Sequence, residues 1–176
     1  AFGEYLPFGE LLPFLYDLSP HSARFARGTH TNALTLNGIR YGLLICYEDI
    51  LPRFVRRVME SDPHVLVNIT NDAWYGRTHE PVIHLALATF RAIEHRRFLV
   101  RATNTGISAV VDPAGRIVAQ TPIFERANLF EEVVPLAGLR DHVGCASGGS
   151  EVHVVVVDAG DRLARLTGRR IDGRQA

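Results

Sequence analysis

Residues 41–49 read Tyr41-Gly42-Leu43-Leu44-Ile45-Cys46-Tyr47-Glu48-Asp49. An apolar run of strand length ends abruptly in a cysteine and three polar residues, the pattern of a buried strand that delivers chemistry at its end. Working upstream, residues 33–36 and 40–45 form two strand-like runs around Asn37-Gly38, the strongest short hairpin signal. Downstream, Pro52 opens a predicted helix to about Glu60, with Phe54, Val55, Val58 and Met59 on one face and Arg53, Arg56, Arg57 and Glu60 on the other. A short apolar strand over 65–69 follows Asp62-Pro63 and runs into the polar loop Thr70-Asn71-Asp72-Ala73-Trp74-Tyr75-Gly76. Thr78 as N-cap and Pro81 in the first turn predict a helix to about Arg97. Its apolar residues Ile83, Leu87, Phe90 and Ile93 are expected to face the core. Residues 98–102 read as a strand, and 107–111 with 117–120 as a hairpin around Asp112-Pro113-Ala114-Gly115. Strands alternating with helices predict an α/β fold, and the hairpins predict a mixed sheet.

The flanks differ in character. Residues 1–20 are rich in proline, glycine and aromatics, with Phe2-Gly3-Glu4-Tyr5-Leu6-Pro7 followed by Phe8-Gly9-Glu10, and the proline spacing excludes a long helix. Residues 138–176 are rich in glycine and arginine, with one strand-like run at 152–157. The 176 residues suffice for one domain with its own core, and 47% hydrophobic with 22% charged is ordinary for a globular protein. Zero formal net charge argues against nucleic acid as a partner, because there is no basic excess to neutralise phosphates. All 19 basic residues are arginine, and the chain has no lysine. Cys46 and Cys145 form neither a metal-ligand pattern nor a disulfide framework, and no cofactor or metal motif is present. No apolar run approaches the roughly 18–20 residues that span a bilayer, and no signal peptide is visible. Ala1 opens in the middle of a motif, so a piece of a longer protein is expected.

A cysteine between a strand and a helix has a physical use. The positive end of the helix dipole would lower the thiol pKa, and backbone N–H groups at the turn can hold a developing oxyanion. Position alone favours a buried structural cysteine, but Tyr47, Glu48 and Asp49 cluster polar groups at the strand end and turn the reading towards a nucleophile. Glu4 and Glu10 are carboxylates among aromatics, where a raised pKa would suit an acid or base, although Glu10 reads better as a solvated loop residue. Trp74 and Tyr75 either line a ligand pocket or pack within their loop. Asn104 reads as a turn hydrogen-bonder, His84 as a structural histidine, and Arg96, Arg97 and Arg101 as surface charges or structural ion pairs.

Together these residues resemble a known family. Leu44-Ile45-Cys46-Tyr47-Glu48-Asp49 resembles the nucleophile motif of the nitrilase superfamily. Within it, Asn71-Asp72-Ala73-Trp74-Tyr75-Gly76, Glu80-Pro81, His84-Leu85-Ala86, Phe90-Arg91-Ala92-Ile93-Glu94 and Arg101-Ala102-Thr103-Asn104-Thr105-Gly106-Ile107-Ser108 resemble the apolipoprotein N-acyltransferases. The opening Phe-Gly-Glu-Tyr-Leu-Pro is similar to that family's loop after its catalytic lysine. The resemblance covers roughly residues 1–136. It implies part of an α-β-β-α sandwich and a Glu–Lys–Cys catalytic set, in which phospholipid acylates the cysteine and the free amine of a diacylglyceryl-cysteine lipoprotein then attacks the thioester. Cys46 matches the nucleophile, Glu4 the second, loop glutamate, Tyr47 and Glu48 the residues that support the nucleophile, and Trp74 a loop at the site mouth. The implied partners are a phospholipid donor and a lipoprotein acceptor at the bacterial inner membrane, with the catalytic domain on the periplasmic side.

Two departures matter. The family lysine would sit just before Ala1 and the base glutamate earlier still, so this chain alone is expected to be inactive. After residue 136 the family continues towards a final membrane helix, whereas 137–176 is unlike it, and a frameshift or rearranged gene is expected there. The rival expectations are a soluble nitrilase-type amidase that hydrolyses small C–N bonds with the same cysteine, and a non-catalytic gene remnant. Half a sandwich should also leave sheet surface uncovered.

Overall fold

In the computed structural model the described residues are 28–136, with the strand backbone of 152–157 and 165–168. The decisive hairpin forms as expected: β1 (Leu34–Leu36) pairs antiparallel with β2 (Ile39–Ile45), Leu36 opposite Ile39. Asn37 and Gly38 both take positive φ, 51° and 80°, as a two-residue primed turn requires. Then come α1 (Pro52–Met59), β3 (Val65–Thr70), α2 (Glu80–His95), β4 (Phe98–Thr103), β5 (Ala109–Val111) and β6 (Ile117–Gln120). The strands form one six-stranded sheet in the order β1-β2-β3-β4-β5-β6. Its centre, β2-β3-β4, is parallel, because α1 and α2 carry the chain back across one face; the hairpin-linked edges are antiparallel.

Strand alternation sends side chains to two separate cores. On the helix side Leu44, Leu66, Leu99, Ala109 and Val111 meet Val55 and Val58 of α1 and Leu85, Ala88 and Ala92 of α2. On the other side Ile39, Tyr41, Val65, Val67, Val100 and Val110 are packed by Leu129 and Val133 of β7 (Asn128–Val133), a strand the sequence reading did not anticipate. β7 begins a second, antiparallel sheet with β8 (Val152–Val157) and β9 (Arg165–Gly168), Leu129 opposite Val156 and Val133 opposite Val152. The layering is therefore helix, sheet, sheet. Near the C-terminal ends of β2 and β3, the second face leaves Leu43, Ile45 and Ile69 between 40% and 61% exposed. Uncovered sheet surface was expected of a partial sandwich, and it lies at this end.

One expectation fails outright. Ile83, Leu87, Phe90 and Ile93 are exposed, and α2 buries Pro81, His84, Leu85, Ala88, Arg91 and Ala92 instead. The helix is rotated because its inner face serves a charged cluster, described below. It stops at His95, where Arg96 adopts a left-handed conformation with φ 51°. Thr78 does not occupy the N-cap, which is His79, but its hydroxyl accepts from the Glu80 N–H at 3.3 Å. Among the described residues, no helix is long and apolar enough to cross a membrane.

Candidate active site

β2 ends at Ile45, and Cys46 opens a 3-10 turn, Cys46–Ile50, rather than the helix itself; α1 starts only at Pro52. Cys46 has φ 49°, a backbone state that disfavours any residue with a Cβ, so the surroundings must hold it there. It is a buried free thiol, 7% exposed. Three contacts define the turn. The Glu48 carboxylate accepts the Ile45 N–H at 2.8 Å. The Asn68 amide donates to the Cys46 carbonyl at 3.0 Å. The Asp49 carboxylate, fully buried, reaches down to His84 and Arg101.

Those last contacts belong to a cluster under the turn. Arg101, wholly buried at the centre of β4, donates to Asp49 at 2.8 Å, to Asn68 Oδ1 at 2.9 Å and to Asp72 at 3.0 Å. His84 of α2 shares a 2.9 Å hydrogen bond with Asp49 through Nε2. Its Nδ1 lies 3.3 Å from Asp72 Oδ1, an ion contact poorly aligned for a hydrogen bond. Thr70 donates to the same Asp72 oxygen at 3.2 Å. With His84 protonated, two buried anions (Asp49, Asp72) face two buried cations (Arg101, His84), and a cluster so balanced survives in low dielectric where a single charge would not. Burial alone would depress the His84 pKa, but Asp49 and Asp72 outweigh it and leave it raised. For Asp72 burial works upward, and His84 and Arg101 override it, leaving the carboxyl lowered.

Tyr47 stacks on the His84 ring at 5.0 Å and donates its hydroxyl to Glu80 at 2.9 Å. Burial, with Tyr75 and Glu80 alongside, pushes that hydroxyl far above the usual tyrosine range, so Tyr47 stays a neutral donor. Tyr75 meets Tyr47 edge-on at 6.1 Å, and burial pushes its hydroxyl above the usual tyrosine range. Trp74 shares the 3-10 turn Asp72–Tyr75 but is 65% exposed, so it stands out from this turn as a surface residue. The turn is pinned by Asn104, whose Oδ1 accepts from the Asp72 N–H at 3.1 Å and whose amide donates to Asn71 at 2.6 Å. Gly106 permits the arrangement, since any Cβ there would collide with the Asp72 carboxylate.

Of the residues singled out from sequence, the structure gathers Cys46, Tyr47 and Glu48 on one turn, while Glu4 and Glu10 lie outside the described residues. Arg97 and Arg101 are buried ion-pair residues, Arg97 with Asp62 at 3.0 Å, and Arg96 is exposed. His84 is structural in the sense expected, yet it joins Asp49, Asp72, Asn68 and Arg101 in a unit that sequence reasoning did not assemble. One signal was available. Asn68 and Arg101 interrupt otherwise apolar strands, and polar residues at buried strand positions need partners.

The carbon-nitrogen hydrolase family profile matches residues 8–135. A Geobacter metallireducens protein named apolipoprotein N-acyltransferase is 44% identical over 132 residues, covering 75% of this chain and 25% of the relative. A protein of the same name from Bdellovibrio bacteriovorus is 44% identical over 129 residues, covering 71% and 24%. The chain thus spans about a quarter of the length of these curated relatives. Among solved structures, a carbon-nitrogen hydrolase from Helicobacter pylori superposes with a TM-score of 0.51 at 14% identity, covering 57% of this chain and 42% of that one, a likeness of fold.

Proposed function

Because the chain belongs to the carbon-nitrogen hydrolase family, we propose that it is the nucleophile-bearing part of an apolipoprotein N-acyltransferase, with Cys46 as the nucleophile. The observation that carries this is Cys46 itself: a thiol presented at a strand end in a strained backbone state, within a segment 44% identical to a protein of that name. The Cys46 thiolate attacks the ester carbonyl of a phospholipid acyl chain. The lysophospholipid leaves with a proton, and a thioester remains. The free amine of a diacylglyceryl-cysteine lipoprotein then attacks that thioester, forming an amide and releasing the thiolate. Tyr47 and Glu48 support the turn, Trp74 stands out near the site, and Glu4 takes the loop-glutamate role. Residues 1–136 supply the catalytic-domain part, and the strands at 152–157 and 165–168 extend the sheet that β7 begins. The work is done at the bacterial inner membrane, on its periplasmic side, through segments outside this chain. With no lysine, the chain by itself transfers no acyl group.

The test compares the chain alone with the same chain fused behind the preceding portion of the Geobacter metallireducens relative, each incubated with phospholipid vesicles. A hydroxylamine-labile acyl adduct on Cys46 in the fusion only is the expected result. An adduct on the chain alone overturns its inactivity. Turnover of small soluble amides by the fusion, without any adduct from phospholipid, replaces acyl transfer with amidase chemistry. A fusion that folds but does neither identifies a remnant.

A further inference from the structure

We propose that Asn68 is a positioning residue for the nucleophile, held in place by Arg101, and that its amide keeps Cys46 in the backbone state that presents the thiol. This rests on the assignment of Cys46 as nucleophile. Asn68 lies on β3, next to β2, and is fully buried. Its amide nitrogen donates to two carbonyls that bracket the end of β2, Cys46 at 3.0 Å and Leu44 at 3.4 Å. Its amide oxygen accepts from Arg101 at 2.9 Å, which fixes the amide orientation, because the guanidinium can only donate. Arg101 is fixed in turn by Asp49 and Asp72. The chain of contacts thus leaves the nucleophile turn through the Cys46 carbonyl, passes through Asn68 and Arg101, and returns to the same turn through Asp49. A loop closed on both ends resists rotation of the Cys46 peptide, and a left-handed residue costs about 1–2 kcal/mol whenever it is not so held.

A residue needed only to satisfy Arg101 behaves differently from one needed to hold Cys46, and Asn68→Asp separates the two. The carboxylate still accepts from Arg101 but has no proton to give the Cys46 carbonyl. In the full chain carrying Cys145→Ser, the rate of Cys46 alkylation by iodoacetamide is measured at fixed pH, alongside the thermal transition. The expected result is a roughly tenfold slower alkylation in both Asn68→Asp and Asn68→Ala, the fold-change that a loss of 1–2 kcal/mol in the presented state implies. Thr103→Val, which removes a buried hydroxyl bonded to Ser108 on the same face of the sheet, stays within twofold of the parent. Wild-type or faster alkylation in a folded Asn68→Asp chain overturns the proposal. So does an equal fall in Thr103→Val, or loss of the cooperative transition in both Asn68 variants, since each assigns Asn68 to the core alone. The readout needs no lipid, so a positioned thiol that phospholipid never acylates would sink the acyltransfer reading and leave this one standing.

Discussion

Helices α1 and α2 lie on the same face of the sheet and share one apolar core, yet only α2 also buries charged residues. α1 follows the ordinary rule, with Val55 and Val58 inside and its arginines outside. α2 turns His84 and Arg91 inward beside Leu85, Ala88 and Ala92, and leaves Ile83, Leu87, Phe90 and Ile93 exposed. The difference comes from what each helix covers. Beneath α1 the strands offer Leu44 and Leu66, whereas α2 also reaches Asp49, Asp72 and Arg101, and His84 must face them. A helix that completes a buried charge cluster is oriented by that cluster, because an unmet buried charge costs more than an exposed leucine.

Substitutions can break this contrast at several strengths. Arg101→Ala should have the largest effect. It strands Asp49 and Asp72 without their shared cation, and a loss of about 3–5 kcal/mol in a urea titration, or no cooperative transition at all, is expected. Leu85→Ala, on the inner face of α2, should cost about 2–4 kcal/mol by the same titration, as core leucines do.

His84→Gln should show a pH-dependent deficit. The folded pKa of His84 is raised above the ordinary 6.5, so its protonated form contributes stability that is fully present below about pH 6.5 and lost as pH rises through the folded value. The gap between wild type and variant should therefore narrow on going from pH 6 upward. A gap that widens would mean the histidine sits neutral between its carboxylates. Smallest of all, Phe90→Ser on the outer face of α2 should shift stability by no more than about 0.5 kcal/mol. A loss comparable to Leu85→Ala would show that this outer stripe is packed after all.

Much of the architecture could be read in advance, for local reasons. Asn37-Gly38 dictates its turn, Pro52 and Pro81 mark helix starts, and the apolar runs at 65–69 and 98–102 have one stable use. The turn at Cys46 was also legible, because a cysteine followed by three polar residues is conspicuous after an apolar strand. What failed was the facing of α2, since periodicity reports which side of a helix is apolar and not which side is inside. β7 was hidden too, although the run at 152–157 that pairs with it was legible as a strand. Their pairing joins residues 128–133 to 152–157, and no local pattern encodes a contact between distant segments.

Sequence by itself determined the strands of the six-stranded sheet, its two helices, its mixed order and the place of Cys46 at a strand end, all of which follow from local propensity and period. Only the tertiary structure decided that Asn68, His84, Asp49, Asp72 and Arg101 meet. They come from five separate elements, and what selects their meeting is the requirement that every buried charge find a partner, a condition that exists only once the chain has closed around them.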